Sequence, residues 1–286
     1  MTDPPLPRGL RESRAEMVRR LSAAGVASPD ADAEQLLASV LGVARGALVS
    51  LPPGHQLSDG QAAELEQLVS RRRRREPLQH LLGVAGFRTV QLRVGPGVFV
   101  PRPETELLAG WAVDQLTGRS ESVAVDLCAG SGAIAAALAA EAPLARVYAV
   151  ELSPPAYEYA VANLAGTGVD VRLGDITHAL PELDGTVDVV VANPPYVPLE
   201  AYEEVAFEAR VHDPAMALWS GADGLDTIRT VERVAARLLR DGGAVGCEHA
   251  EAQGRSAPDI FRAAGWRDVV DHPDLTGRPR FVTARR

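Results

Sequence analysis

From Ser122 onward short apolar runs alternate with helical ones, and this alternation constrains the fold more than any other feature of the chain. Strand-like runs are Val123 to Cys128, Arg146 to Leu152, Val169 to Leu173, Val187 to Ala192 and Gly243 to Glu248. Helical runs lie between them at Ala133 to Glu141, Pro155 to Leu164 and Leu225 to Leu239. Short, largely apolar strands that alternate with helices need cover on both faces, which predicts a parallel sheet between two helical layers. The tail breaks the pattern. Trp266 to Asp271 and Pro279 to Ala284 are strand-like, with too short a loop between them for a crossover. They must therefore pair antiparallel. The predicted fold class is α/β, a Rossmann-like doubly wound sheet ending in an antiparallel C-terminal hairpin.

Upstream the pattern is helical. Leu10 to Ala24 has apolar residues at helical spacing and stops at Gly25. Ser28-Pro29-Asp30 is a helix start, with a capping residue before proline, and that helix runs to Leu41. Ser58 or Asp59 opens a third helix that runs into Arg71 to Arg75. Five consecutive arginines suggest a nucleic-acid contact, but the favoured reading is a solvated helix end, where cations suit the dipole. Between residues 83 and 100, Phe87 to Val94 and Val98 to Val100 flank Gly95-Pro96-Gly97, which predicts a β-hairpin turning at those glycines.

Composition removes several function classes. Net charge is −9, a poor starting point for non-specific duplex binding. All 29 basic residues are arginine, so lysine Schiff bases and a Walker-type phosphate lysine are excluded. The two cysteines, Cys128 and Cys247, are read as small buried hydrophobes, and with the six histidines they show no metal-ligand spacing. No apolar run is long enough for a membrane helix, and Met1 to Leu10 does not resemble a secretion signal, so a cytoplasmic location is expected.

The first strand of the alternating region ends in Asp126-Leu127-Cys128-Ala129-Gly130-Ser131-Gly132, immediately before a helix. Glycines there allow a tight turn and close approach of a ligand to the main chain, and the helix start offers free N–H groups. Glu151 closes the second strand, where a carboxylate can accept both hydroxyls of a ribose. Asp175 and Ile176 follow the third, placed to border an adenine. These features fit a nucleoside-containing cofactor without separating NAD from S-adenosylmethionine.

Asn193-Pro194-Pro195-Tyr196 ends the fourth strand, Val187 to Ala192. Two prolines stop the ladder, and proline holds the residue before it extended. The result is a stiff loop at the sheet edge that faces ligands. An amide or aromatic-amine nitrogen is a weak nucleophile, but its hydrogens can donate. The Asn193 side-chain oxygen and the Pro194 carbonyl can accept them and aim the lone pair, while Tyr196 packs on the planar group.

Taken together, the chain resembles over nearly its whole length the glutamine methyltransferases that modify peptide chain release factors, the HemK or PrmC family. Arg75-Glu76-Pro77-Leu78-Gln79-His80-Leu81-Leu82-Gly83 and Val98-Phe99-Val100-Pro101-Arg102-Pro103-Glu104-Thr105-Glu106 carry the specific part of the resemblance. Gly224-Leu225-Asp226 and Asp274-Leu275-Thr276-Gly277-Arg278 add to it, and the Pro101 to Glu106 segment is expected to line the pocket with no role assigned to its residues. Asn-Pro-Pro-Tyr alone is shared with adenine-methylating DNA enzymes and guanine-methylating ribosomal RNA enzymes, which keeps a nucleic-acid amino-methyltransferase as the alternative. Where the family usually has glycine, aspartate and often an aromatic, this chain has Cys128, Glu151 and Ile176.

The resemblance implies a class I methyltransferase fold, with a helical substrate-recognition domain at 1–78, a linking β-hairpin at 79–106 and the catalytic domain at 107–286. It implies S-adenosylmethionine as cofactor, bound by Cys128, Ala129, Gly130, Ser131, Gly132, Glu151, Asp175, Ile176 and Asn193. The implied substrate is the glutamine of a Gly-Gly-Gln motif in class 1 release factors, held by Asn193, Pro194, Pro195 and Tyr196. Asn193, Pro194 and Tyr196 would carry the chemistry. No metal and no stable nucleic-acid binding are expected.

Overall fold

Leucine and valine at helical spacing build the first of two compact units. The computed structural model describes residues 4–286, and these divide between Gly83 and Val84. The first unit contains α1 (Leu10–Ala23), α2 (Pro29–Leu41), α3 (Asp59–Arg73) and α4 (Leu78–Leu82). Pro29 opens α2, and Ser58 caps α3 in a reciprocal pair with Gln61. Met17, Leu21, Leu36, Leu37, Leu65 and Val69 form its core.

The arginine run turns back onto this unit. Arg71 pairs with Glu76, Arg74 donates to Ser70, and Arg75 donates to the Gly25 carbonyl. Arg72 is buried and meets buried Asp32 at 2.7 Å. Removing one partner of such a pair strands the other charge. Asp32→Ala is therefore expected to destabilise this unit by about 3 kcal/mol or more, read from denaturant unfolding. An unchanged midpoint would mean the pair contributes nothing net.

The second unit starts with β1 (Val84–Phe87) and β2 (Val90–Arg93), an antiparallel hairpin. Its turn is Arg88-Thr89, not the expected Gly95-Pro96-Gly97, and Val98 to Val100 form no strand. The reason is tertiary. Arg88 takes a left-handed backbone, φ 49°, and Glu106 accepts its N–H at 3.0 Å. The Arg88 guanidinium grips the Glu141 carboxylate at 2.6 and 2.8 Å. Local turn propensity contains none of this. The hairpin belongs to the second compact unit.

Next come α5 (Thr105–Leu116), β3 (Val123–Leu127), α6 (Ala133–Glu141), β4 (Arg146–Glu151), α7 (Pro154–Leu164), β5 (Asp170–Leu173) and β6 (Val187–Ala192). They are followed by α8 (Phe207–His212), α9 (Asp226–Leu238), β7 (Leu239–Glu248), α10 (Ser256–Ala263), β8 (Arg267–Pro273) and β9 (Pro279–Arg285). The sheet order is β5-β4-β3-β6-β7-β9-β8. The first five of these pair in parallel, and β9 runs antiparallel between β7 and β8. Alternate residues face opposite layers. Val189 and Val191 pack with α5 and α6 residues such as Leu108 and Ile134. Val190 and Ala192 pack with Ile228, Val231 and Phe261 from α9 and α10.

This topology positions the site. The chain steps outward from β3 to β4 and β5, then returns to lay β6 on the other flank of β3. Connections diverge where that order reverses, leaving a crevice at the carboxyl ends of β3 and β6.

Candidate active site

One cavity of about 510 Å³ opens at that crevice, within the range of small-molecule sites. On one side β3 turns through Cys128-Ala129-Gly130-Ser131-Gly132 into α6. Cys128, Gly130 and Gly132 all adopt left-handed backbone, φ 62°, 58° and 81°. Glycine does this freely, whereas cysteine there costs roughly 1–2 kcal/mol. A β-carbon on Gly132 would lie 2.9 Å from the Leu164 side chain, so glycine lets α7 pack against the turn. Cys128 to Ser131 line the cavity, while Gly132 stands behind them.

Asp126 is fully buried beneath the turn and accepts the Ala135 N–H at 3.1 Å. Burial pushes its carboxyl up to about 8, so it ties β3 to α6 as a largely protonated group. Glu151, 8 % exposed, accepts the Gly130 N–H at 2.7 Å and the Ser153 N–H at 2.6 Å. Burial raises its carboxyl and those backbone bonds oppose the rise. Leu152 adds a third backbone bond, and of the four lone pairs of the carboxylate at least one remains for a further donor. Asp175 accepts the Thr177 N–H at 2.8 Å, and hydrogen bonds from Thr177 hold its carboxyl below the usual range. Ile176 supplies an apolar wall.

Asn193, Pro194, Pro195 and Tyr196 line the facing wall. Asn193 Nδ2 donates to Thr105 Oγ1 at 3.1 Å, and Thr105 Oγ1 donates to Glu248 Oε2 at 2.7 Å. The Tyr196 hydroxyl donates to Glu248 Oε1 at 3.2 Å. Glu248 ends β7 with 1 % exposure, and burial pushes its carboxyl up to about 7. Burial, then the Glu248 charge, raises the Tyr196 phenol far above its ordinary range. Gln253 Nε2 donates to the Tyr196 carbonyl at 3.0 Å. Gly224, φ 73°, passes so close that a β-carbon would sit 2.3 Å from that same carbonyl.

Phe99, Pro101, Arg102, Met216 and Leu218 also line the cavity. Arg102 lies over the Phe99 ring at 4.7 Å and meets Asp213 at 2.5 Å. Burial raises the Asp213 carboxyl, opposed by Arg102.

Every site residue expected from the sequence except Gly132 lies on this one cavity wall. The Pro101 to Glu106 segment, expected to line the pocket without a role for any one residue, supplies Pro101, Arg102 and Thr105, whereas Asp213, Glu248 and Gln253 were not anticipated. The available signal was the place of Glu248 at the carboxyl end of a parallel strand. Among the described residues, no group of three or more His, Cys, Asp or Glu is placed to hold a metal ion. No helix among them is long and apolar enough to cross a membrane.

A doubly wound sheet with this strand order, a glycine turn facing an acidic strand end, and Asn-Pro-Pro-Tyr across the crevice define a class I S-adenosylmethionine-dependent methyltransferase. The residues present fit that cofactor: a turn open to a ligand, a buried carboxylate with a lone pair to spare, and an apolar side wall. Residues 12–83 match the family described as the PrmC N-terminal domain, and residues 124–212 match a methyltransferase domain. The release factor glutamine methyltransferase of Streptomyces coelicolor is 55% identical over 95% of this chain and 96% of its own. The chain belongs to the release factor glutamine methyltransferase family. A 4-amino-L-phenylalanine/4-methylamino-L-phenylalanine methyltransferase of Streptomyces pristinaespiralis is 45% identical over 72% of each chain. Among solved structures, the hMettl16 catalytic domain in complex with MAT2A 3'UTR hairpin 6 superposes with TM-score 0.55 at 15% identity, covering 81% of this chain and 84% of that one. That is a likeness of fold.

Proposed function

We propose that this chain transfers a methyl group from S-adenosylmethionine to the side-chain amide nitrogen of the glutamine in the Gly-Gly-Gln motif of class 1 release factors. One observation carries the reading. The Asn193 amide shares a cavity with the glycine turn, and its nitrogen is turned to Thr105, which leaves Oδ1 to meet a ligand. When bound, S-adenosylmethionine supplies an electrophilic methyl on a positively charged sulfur.

The residues of the chain do the rest. Glu151 would accept the ribose hydroxyls, Cys128 to Gly132 would form the turn that holds the cofactor, and Asp175 and Ile176 would border its adenine. Asn193 Oδ1 and the Pro194 carbonyl accept the two hydrogens of the substrate amide. Tyr196, fixed through Glu248, supports its plane. On accepting the methyl group, which the cofactor sulfur would release while keeping the bonding electrons, the substrate nitrogen would turn positive. Its hydrogens acidify and both acceptor bonds tighten. One proton then leaves to solvent. This is stabilisation aimed at charge that develops in the transition state.

The family relatives matched over nearly their full length support the protein substrate, and the helical unit supports recognition of the release factor body. The test is methyl transfer from labelled S-adenosylmethionine to purified release factor, with 4-amino-L-phenylalanine and nucleic acid offered separately. Label on the Gly-Gly-Gln glutamine supports the reading. Label confined to the arylamine or to nucleic acid would move the enzyme to that substrate.

Removal of residues 1–83 tests recognition. It is expected to lower kcat/KM on intact release factor by roughly 10²-fold, as for loss of a second linked contact. Turnover of a short Gly-Gly-Gln peptide and cofactor binding should persist. Full activity on the intact factor would assign recognition to the catalytic unit alone.

A further inference from the structure

We propose that Glu248 is a positioning residue that orients and polarises the Asn193 amide through Thr105, an inference that rests on the amide-methylating reading above. A hydroxyl carries one hydrogen. Thr105 Oγ1 lies 2.7 Å from Glu248 Oε2 and 3.1 Å from Asn193 Nδ2. An ionised carboxylate only accepts, so the Thr105 hydrogen goes to Glu248. Thr105 then meets Asn193 with a lone pair, which requires an N–H donor. Asn193 must turn its nitrogen inward and its oxygen to the cavity. Without the charge on Glu248 the hydroxyl hydrogen is free, and either face of the amide satisfies Thr105. The direction of the chain thus decides whether a substrate –NH₂ meets an acceptor or another donor.

The second oxygen of Glu248 accepts from Tyr196 at 3.2 Å, so one carboxylate grips both ends of the tetrapeptide. Hydrogen bonds in series polarise one another. Negative charge on Glu248 strengthens the Thr105 oxygen as acceptor, and that in turn raises electron density on Asn193 Oδ1. The gain comes as the substrate hydrogens acidify. Glu248 is 1 % exposed and does not line the cavity, so it acts through its partners and not on the cofactor sulfur.

Four groups set its charge. Thr105 on α5 and Tyr196 after β6 bond to it, Arg280 on β9 favours ionisation, and Glu104 before α5 opposes it. Burial outweighs the rest and leaves the carboxyl titrating at about 7. Above that pH both oxygens accept. Below it one carries a proton and donates, and the direction of the chain is no longer enforced. The Tyr196 phenol, raised far above its ordinary range, does not ionise there.

The experiment compares wild type with Glu248→Gln by kcat against pH, by cofactor calorimetry, and by NMR of the Asn193 side-chain amide. That resonance is assigned by its loss in Asn193→Ala. In wild type, kcat is expected to fall on the acid side with a midpoint near 7, and the Asn193 resonance should titrate with it, without substrate present. In Glu248→Gln, kcat should drop about 10- to 100-fold, with the acid limb and the NMR titration gone and cofactor Kd unchanged. Persistence of the limb in Glu248→Gln, or an Asn193 resonance that ignores pH in wild type, overturns the proposal. If Glu248→Gln does not fold, Thr105→Ser should retain activity that Thr105→Val loses, and equal activity of both overturns it. Absence of glutamine methylation by wild type would sink the functional reading instead, while the Asn193 titration would still decide this one.

Discussion

Asn193→Ala is expected to lower kcat by about 10²–10³-fold, the usual effect of deleting one preorganised group aimed at transition-state charge, while S-adenosylmethionine still binds. The asymmetry follows from where the two sets of contacts lie. The glycine turn and Glu151 sit at the ends of β3 and β4, whereas Asn193 follows β6 across the crevice. Alanine removes the acceptor without disturbing the turn. Pro194 is buried and Gln253 holds the Tyr196 carbonyl, so the loop backbone keeps its course. Turnover with intact release factor and calorimetry with the cofactor check this together. Equal loss of both would mean that Asn193 holds the loop and not the substrate.

Glu151→Gln is expected to weaken S-adenosylmethionine binding by about 10- to 100-fold, the range for hydrogen bonds to a charged group. Both carboxylate oxygens already accept backbone N–H groups, from Gly130 and Ser153. A glutamine can accept from one of them, but its –NH₂ then faces the other, donor against donor. The damage therefore reaches the turn as well as the ribose. Glu151→Asp keeps the charge and should recover most of the affinity. Calorimetry decides, and an unchanged Kd for Glu151→Gln would remove Glu151 from the cofactor site.

The sheet was legible because its signals are local. Val187 to Ala192 is apolar except for Asp188 and is followed, after Asn193, by two prolines, so strand, strand end and stiff loop can be read from ten residues. The glycine turn is similar. The hairpin was misplaced because Arg88 holds its left-handed turn through Glu106 and Glu141, which lie 18 and 53 positions away. Leu239 reads as the last residue of the helical run from Leu225, yet it opens β7 and pairs with Val187 through an irregular register. Thr105, Asn193 and Glu248 meet across separations of 88 and 143 residues. Periodicity and motif spacing do not reach that far. The tetrapeptide was visible and the side chains that orient it were not.

Cys128 carries a consequence in sulfur chemistry. Both cysteines are free, and Cys128 lies in the cavity wall. Burial, then the Glu151 carboxylate, pushes its thiol well above the ordinary value, and burial raises the Cys247 thiol too. Alkylation and peroxide oxidation proceed through the thiolate. At neutral pH such reagents meet a protonated sulfur, so the thiol that lines the methyl-donor pocket reacts slowly with them.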